Sequence, residues 1–128
     1  MNSINCYCCS NKTFDTCCES FILGTKKPET CLELMRSRYS AYATQNADYL
    51  LATTIISKRK YHSKPEILDW ATSNTWLKLE IISFSETKVD FKAYYLDAHK
   101  KQNIHHEFSN FKLENGFWFY TLVTKIRN

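Results

Sequence analysis

The sequence predicts an α+β fold, helices first and an antiparallel sheet after them, behind a short cysteine-rich segment. Three observations carry this. Up to about residue 75 the apolar residues recur at helical spacing, and beyond it they alternate with polar ones. Asn115-Gly116 stands between two strand-like runs, where it favours the tight turn that matches strand twist. The stretch CYCCSNKTFDTCC, residues 6–18, holds five of the six cysteines.

The cysteine segment comes first in the chain. Zinc takes four ligands in a tetrahedron, and thiolates suit it. Cys6-x-Cys8 supplies one pair and Cys17-Cys18 the other, across an eight-residue loop. Four thiolates on one Zn²⁺ carry a charge of −2, which would lower the formal net charge from +4 to about +2. Asn11 tolerates a left-handed backbone and Ser10 hydrogen-bonds locally, so the loop can turn sharply. Phe14 is placed to shield the metal, and Lys12 to offset its charge. The alternative is a set of free or redox-active thiols without metal. No Cys-x-x-Cys pair opens a helix, which counts against a redox pair. Cys9 is left over as a fifth thiol that competes for the metal or stays spare, and Cys31 reads as a small buried residue.

Thr30 and Glu33 have capping-box spacing at the head of a helix over 30–43, with Leu32, Met35, Tyr39 and Tyr42 on its apolar face. A short helix fits 46–54, capped by Asn46, with Leu50, Leu51 and Thr54 turned inward. Residues 55–62 read as a basic loop or short strand. Ser63 and Glu66 head a third helix over 65–74, with Ile67, Trp70 and Ala71 on one face. Strands follow over 76–84, where Leu77, Leu79 and Ile81 alternate with Lys78 and Glu80, and over 89–97, where Val89, Phe91, Ala93 and Tyr95 share a face. A third strand fits 104–113. Residues 117–124 are apolar on both faces, which predicts a central strand.

A chain of 128 residues, 44% apolar and 15% aromatic, is long enough for one compact core with a small appended module. No apolar run approaches the ~20 residues of a membrane span, and MNSINC has no basic start or apolar stretch, so the reading is a cytoplasmic protein without membrane attachment. In a reducing compartment, clustered cysteines point to metal before disulfides. Lys26-Lys27, Lys58-Arg59-Lys60 and Lys100-Lys101 are scattered and read as solvated surface.

The cysteine pattern resembles the SEC-C motif, Cys-x-Cys-Gly-Ser-Gly-x5-Cys-[His/Cys], at all four ligand positions, with Cys9 and Asn11 where the motif has glycines. Leu34-Met35-Arg36-Ser37-Arg38-Tyr39-Ser40-Ala41-Tyr42, then Asp48-Tyr49-Leu50-Leu51-Ala52-Thr53, is similar to the signature of the bacterial YchJ family. So are Trp76-Leu77-x-Leu79, Val89-x-Phe91-x-Ala93-x-Tyr95, and His106-Glu107-x-Ser109-x-Phe111 leading to Gly116-x-Trp118-x-Tyr120. The chain departs from the family at Thr54 and at Thr121-Leu122. The resemblance implies a SEC-C zinc module over 1–24 and an NTF2-like domain over 25–128, a cone of helices on a curved antiparallel sheet.

Function reads less sharply than fold. Arg36 and Arg38, two apart on a helix, point about 200° apart and do not face one ligand together. One is expected to pair with Glu107 or Asp48, the other to face a partner. Glu107 shares a strand face with His105, Ser109 and Phe111, as either an acid–base pair with His105 or a structural carboxylate. The paired His105 and His106 point to opposite faces and cannot chelate one metal. Trp76, Tyr94, Tyr95, Trp118 and Tyr120 mostly serve the core, a few of them lining a pocket for a small apolar or planar ligand, with Tyr39 a further candidate. No Ser-His-Asp arrangement or phosphate loop can be placed. The favoured function is a non-enzymatic interaction protein, its zinc knuckle docking to a protein or ribosome partner and its cone adding a small-ligand pocket or a homodimer face. The alternative is a small enzyme, an isomerase or hydrolase working in the cone.

Overall fold

The computed structural model describes residues 4–127, and of residues 122–127 the backbone alone. Helix α1 spans Cys18–Ile22, α2 Cys31–Ala43, α3 Ala47–Ala52 and α4 Lys64–Ser73; strands β1 Thr75–Phe84, β2 Lys88–Leu96, β3 Gln102–Glu114 and β4 Phe117–Arg127 follow. The strands form one antiparallel sheet in sequence order. The YchJ-like α+β layout expected from the sequence is the one observed.

Local signals set the helix starts. Thr30 Oγ1 accepts from the Glu33 N–H at 3.1 Å, and Ser63 Oγ from the Glu66 N–H at 3.2 Å. Each satisfies a backbone donor that the helix cannot. The Glu33 carboxylate reaches back to the Glu29 N–H, one residue before the cap. Asn46 stands at the head of α3 without capping it; its amide donates to Thr44 Oγ1 at 2.6 Å instead. Asn115 (φ +52°) and Gly116 (φ +82°) both take the left-handed conformation that the β3–β4 hairpin requires.

Three sequence expectations are corrected. Residues 117–124 do not form a central strand: β4 is the last in the sheet, and among the described residues β3 is its strand partner. Its outer edge is covered by the chain after α3, where Ile55 N–H donates to Tyr120 O and Tyr120 N–H to Thr53 O. That contact blunts the edge at Tyr120; the side chains of Leu122, Val123 and Thr124 lie outside the described residues. Ile56–Tyr61 is a 3-10 helix, neither loop nor strand. In β1 a register shift between Trp76 and Lys78 moves Trp76 to the helix side and turns Leu77 out, 46% exposed, while Leu79 stays buried.

The core lies between α2 and the sheet. Leu34, Met35 and Tyr39 of α2 pack with Leu79, Val89, Phe91, Ala93 and Phe111. Cys6, Cys8, Cys17 and Cys18 belong to the same buried cluster. No helix among the described residues is long and apolar enough to cross a membrane.

Candidate metal centre and cone cavity

Residues 4–14 fold into a tight knuckle. Phe14 N–H donates to Ile4 O, Cys6 N–H to Lys12 O, and Cys9 N–H to Cys6 O. The turn between the cysteine pairs puts Cys9 at φ +63° and Asn11 at φ +69°. These are the two positions where the SEC-C motif has glycine, and this backbone is the reason: a side chain costs about 1–2 kcal/mol there, least for Asn. Ser10 between them accepts from the Lys12 N–H and lies 3.3 Å from Cys17 Sγ.

The knuckle brings four sulfurs together. Cys6, Cys8, Cys17 and Cys18 are all buried, and their Sγ atoms lie within 4.8 Å of one another. Cys8 Sγ is 3.7 Å from Cys17 Sγ, which is 3.9 Å from Cys18 Sγ. Four Zn–S bonds of about 2.3 Å arranged tetrahedrally have S···S edges of about 3.8 Å. The donor set therefore fits a soft, four-coordinate ion in size and chemistry. Hydrogen bonds from Cys18 and Cys8 lower the Cys6 thiol, and the same contact with Cys6 raises Cys18. Cys9 is exposed, turns its sulfur toward Tyr7 O, and stands outside the cluster. Cys31 is buried as expected.

Two contacts tie the knuckle to α2. Arg36 Nη1 donates to Cys8 O at 2.7 Å, and Ser40 Oγ lies 3.6 Å from Cys6 Sγ. Phe14 packs edge-on against Tyr7 and onto the core. A surface recess beside Cys17 and Cys18 is lined by Lys12, Lys26, Lys27 and Arg36, with Glu29 and Glu33 the acidic residues in its lining.

A second site lies inside the cone. Arg38, buried, points away from Arg36. Its Nη1 donates to Leu50 O at 2.9 Å and Thr53 Oγ1 at 2.7 Å, and its guanidinium stacks on Tyr120 at 4.5 Å. The expected pairing with Asp48 does not form; Asp48 meets Lys64 at 3.0 Å on the surface. Nor do Arg38 and Glu107 form a contact pair; carbonyl and threonine oxygens take the guanidinium, and its charge reaches Glu107 through space. Glu107 Oε1 meets His105 Nε2 at 2.7 Å, and its other oxygen accepts from Ser109 Oγ and from Tyr120 Oη at 3.3 Å. Burial pushes the Glu107 carboxyl up, but the His105 and Ser109 hydrogen bonds with the nearby charges more than reverse it, leaving it below its ordinary value. Burial and then the Glu107 charge raise the Tyr120 hydroxyl, so it remains a donor.

These groups line a cavity of about 130 Å³ whose wall includes Arg38, Tyr39, Trp76, His105 and Glu107 among the residues singled out from sequence. Tyr95 stacks behind Trp76 at 5.3 Å. Arg36, Asp48 and Trp118 lie elsewhere; Trp118 Nε1 donates to Glu29 O at the far end of the sheet. Tyr120, one of the aromatics considered for the pocket, is in the wall; the sequence reading missed Tyr42, His62 and Trp70 as wall residues. Trp70 stands at the cavity rim on the same stripe as Ile67 and Ala71, which is the signal that was available. Tyr42 likewise lies on the apolar stripe of its helix. His106, on the opposite sheet face, pairs with Asp90 at 2.6 Å.

A cone of helices over an antiparallel sheet, with a four-cysteine knuckle at its head, defines an NTF2-like protein of the SEC-C type. Residues 30–122 match the family described as YchJ, middle NTF2-like domain. The chain belongs to the YchJ family. It is 39% identical over 122 residues to a UPF0225 protein of Haemophilus influenzae, covering 90% of this chain and 74% of that one. A UPF0225 protein of Geobacter sulfurreducens is 33% identical over 123 residues, 91% of this chain and 76% of that one. A SEC-C motif containing protein from Rhodopseudomonas palustris superposes with TM-score 0.87 at 30% identity, over 97% of this chain and all of that one. A SEC-C motif containing protein from Psychrobacter arcticus shares the fold, with TM-score 0.78 at 24% identity, over 100% of this chain and 78% of that one.

Proposed function

We propose that this chain is a zinc-binding, non-enzymatic interaction protein. Cys6, Cys8, Cys17 and Cys18 hold one Zn²⁺ as thiolates, and the knuckle surface docks to a protein or ribonucleoprotein partner in the cytoplasm. Residues 1–24 form the zinc module and 25–128 the NTF2-like domain. The observation that carries the reading is the buried sulfur cluster, whose spacings match the edges of a zinc tetrathiolate. Resemblance to SEC-C motif containing proteins supports a bound metal at these cysteines. The docking part draws on the recess beside the metal, lined by Lys12, Lys26, Lys27 and Arg36 with Glu29 and Glu33; its net +2 offsets the −2 of a tetrathiolate site and leaves a mixed-charge surface for a polar partner.

Native mass spectrometry of protein purified without chelator tests the metal. One zinc per chain, lost in Cys6→Ser and Cys17→Ser and kept in Cys9→Ser, is expected; a metal-free chain would overturn the reading. Partner capture from lysate with metal-loaded protein tests the docking. Recovery of one defined partner is expected, and its loss with Lys26→Glu/Lys27→Glu locates the surface.

A further inference from the structure

Ser40 carries a buried hydroxyl that the fold does not account for. It lies on α2 and is wholly buried. A buried hydroxyl without a hydrogen-bond partner costs stability. A helical serine or threonine has such a partner close at hand, the carbonyl three or four residues back. Two neighbours on α2 use it. Ser37 Oγ, equally buried, donates to Leu34 O at 2.7 Å, and Thr44 Oγ1 donates to Ser40 O at 2.7 Å. Ser40 does not. Among the described residues its Oγ bonds to no backbone carbonyl and meets Cys6 Sγ at 3.6 Å, across the boundary between cone and knuckle. Sulfur is larger than oxygen, so the contact is longer than a bond between two oxygens.

The direction of that bond depends on the state of the sulfur. A thiol is a weak acceptor and can itself be the donor. A thiolate has no proton to give, so toward it the Ser40 hydroxyl donates, in a charge-assisted bond. The knuckle has a matching contact of its own. Ser10 Oγ accepts from the Lys12 N–H, and its proton is left for Cys17 Sγ at 3.3 Å. One hydroxyl therefore reaches each cysteine pair, Ser40 the first and Ser10 the second. A tetrathiolate on a divalent ion carries −2, and buried charge is tolerated where donors meet it.

We propose, resting on the zinc reading of the knuckle, that Ser40 is a positioning residue of the metal centre, its hydroxyl donating to the Cys6 thiolate so that α2 of the cone completes the site that the four cysteines begin. The bond orients Cys6 toward the ion and takes up part of the thiolate charge. Hydrogen-bond partners of this kind are worth about 10- to 100-fold in metal affinity.

The test is zinc competition against a chromophoric chelator with the full chain, followed by Co²⁺ substitution as a spectroscopic readout. The unaltered chain should bind one ion and show the strong sulfur-to-cobalt charge-transfer bands of a tetrathiolate; their absence would overturn the zinc reading and this proposal together. Ser40→Ala removes one atom. It is expected to keep one ion per chain, to bind zinc about 10-fold or more weakly, and to shift the charge-transfer bands to longer wavelength, because a thiolate that has lost its hydrogen bond gives up an electron more easily. Ser37→Ala is the control for a merely structural loss. It removes an equally buried hydroxyl of the same helix, bonded to Leu34 O and Tyr49 Oη, and should lower unfolding stability while leaving zinc affinity and the bands in place. Unchanged affinity and unchanged bands in Ser40→Ala, or equal weakening of zinc in Ser37→Ala, would overturn the role of Ser40 and leave the zinc reading standing.

Discussion

The knuckle and the cone are held by different forces. In the knuckle, the regular elements are a three-residue 3-10 turn over Phe14–Thr16 and the five-residue α1. Neither is long enough to be stable alone. Among its described residues the buried side chains are the four cysteines, each burying little apolar surface. The cone has a four-stranded sheet and the thirteen-residue α2, with Leu34, Leu50 and Val89 wholly buried. On the proposed reading the metal orders one region, while apolar burial orders the other. They meet on a single face, because Leu34 and Met35 share their cluster with the cysteines.

Removing the metal should break that comparison most visibly. A structural zinc site contributes on the order of 10 kcal/mol of folding free energy to its own segment. Chelation is therefore expected to erase amide protection across residues 4–24, and to reduce it on α2 where Arg36 and Ser40 touch the knuckle. Hydrogen exchange with mass spectrometry should show β2 and β3 still protected. Collapse of the whole sheet would mean that the cone depends on the knuckle as well.

Leu34→Ala comes next. Its side chain is fully buried between α2 and the sheet, so denaturant unfolding should show a loss of about 2–5 kcal/mol. Zinc stoichiometry should stay unchanged if the two regions keep separate sources of stability.

Acid should act on the cone through Glu107. Its folded value lies below the ordinary 4.5. Such a carboxyl contributes stability above 4.5 and loses it as the pH falls toward the lowered folded value. The difference in melting temperature between the native chain and Glu107→Gln should be constant at neutral pH and shrink below 4.5. A difference that grew on acidification would reverse the sign.

The smallest effect belongs to Cys9→Gly. With φ at +63° and no place in the sulfur cluster, Cys9 carries a backbone cost that glycine lacks. The variant should gain up to about 1 kcal/mol in the metal-loaded state and still bind one zinc. Loss of zinc would show that the fifth thiol serves the metal.

The residues that were legible in the sequence act over short range. Cysteine spacing, the caps at Thr30 and Ser63, the Asn115-Gly116 turn and the alternation through Val89, Phe91 and Ala93 each specify structure within a few residues. His105, Glu107 and Ser109 were placed on one face by the same period of two, and the structure joins them through hydrogen bonds. Composition misled at β4, whose residues are apolar on both faces although it is the last strand of the sheet. In β1 one irregularity exchanged Leu77 for Trp76, which strict alternation does not reveal.

By itself, the sequence determined the class of fold, the family and the four-thiol set, because periodicity, turn chemistry and ligand spacing are local properties of a chain. Tertiary structure decided where the two arginines go: Arg36 to the knuckle, Arg38 into the cone. It also assembled Tyr42, His62, Trp70 and Tyr120 from two helices, a connecting segment and a strand around one cavity. Those placements depend on which distant segments share a buried space, and the hydrogen bonds that fix them form only after the chain has closed around it.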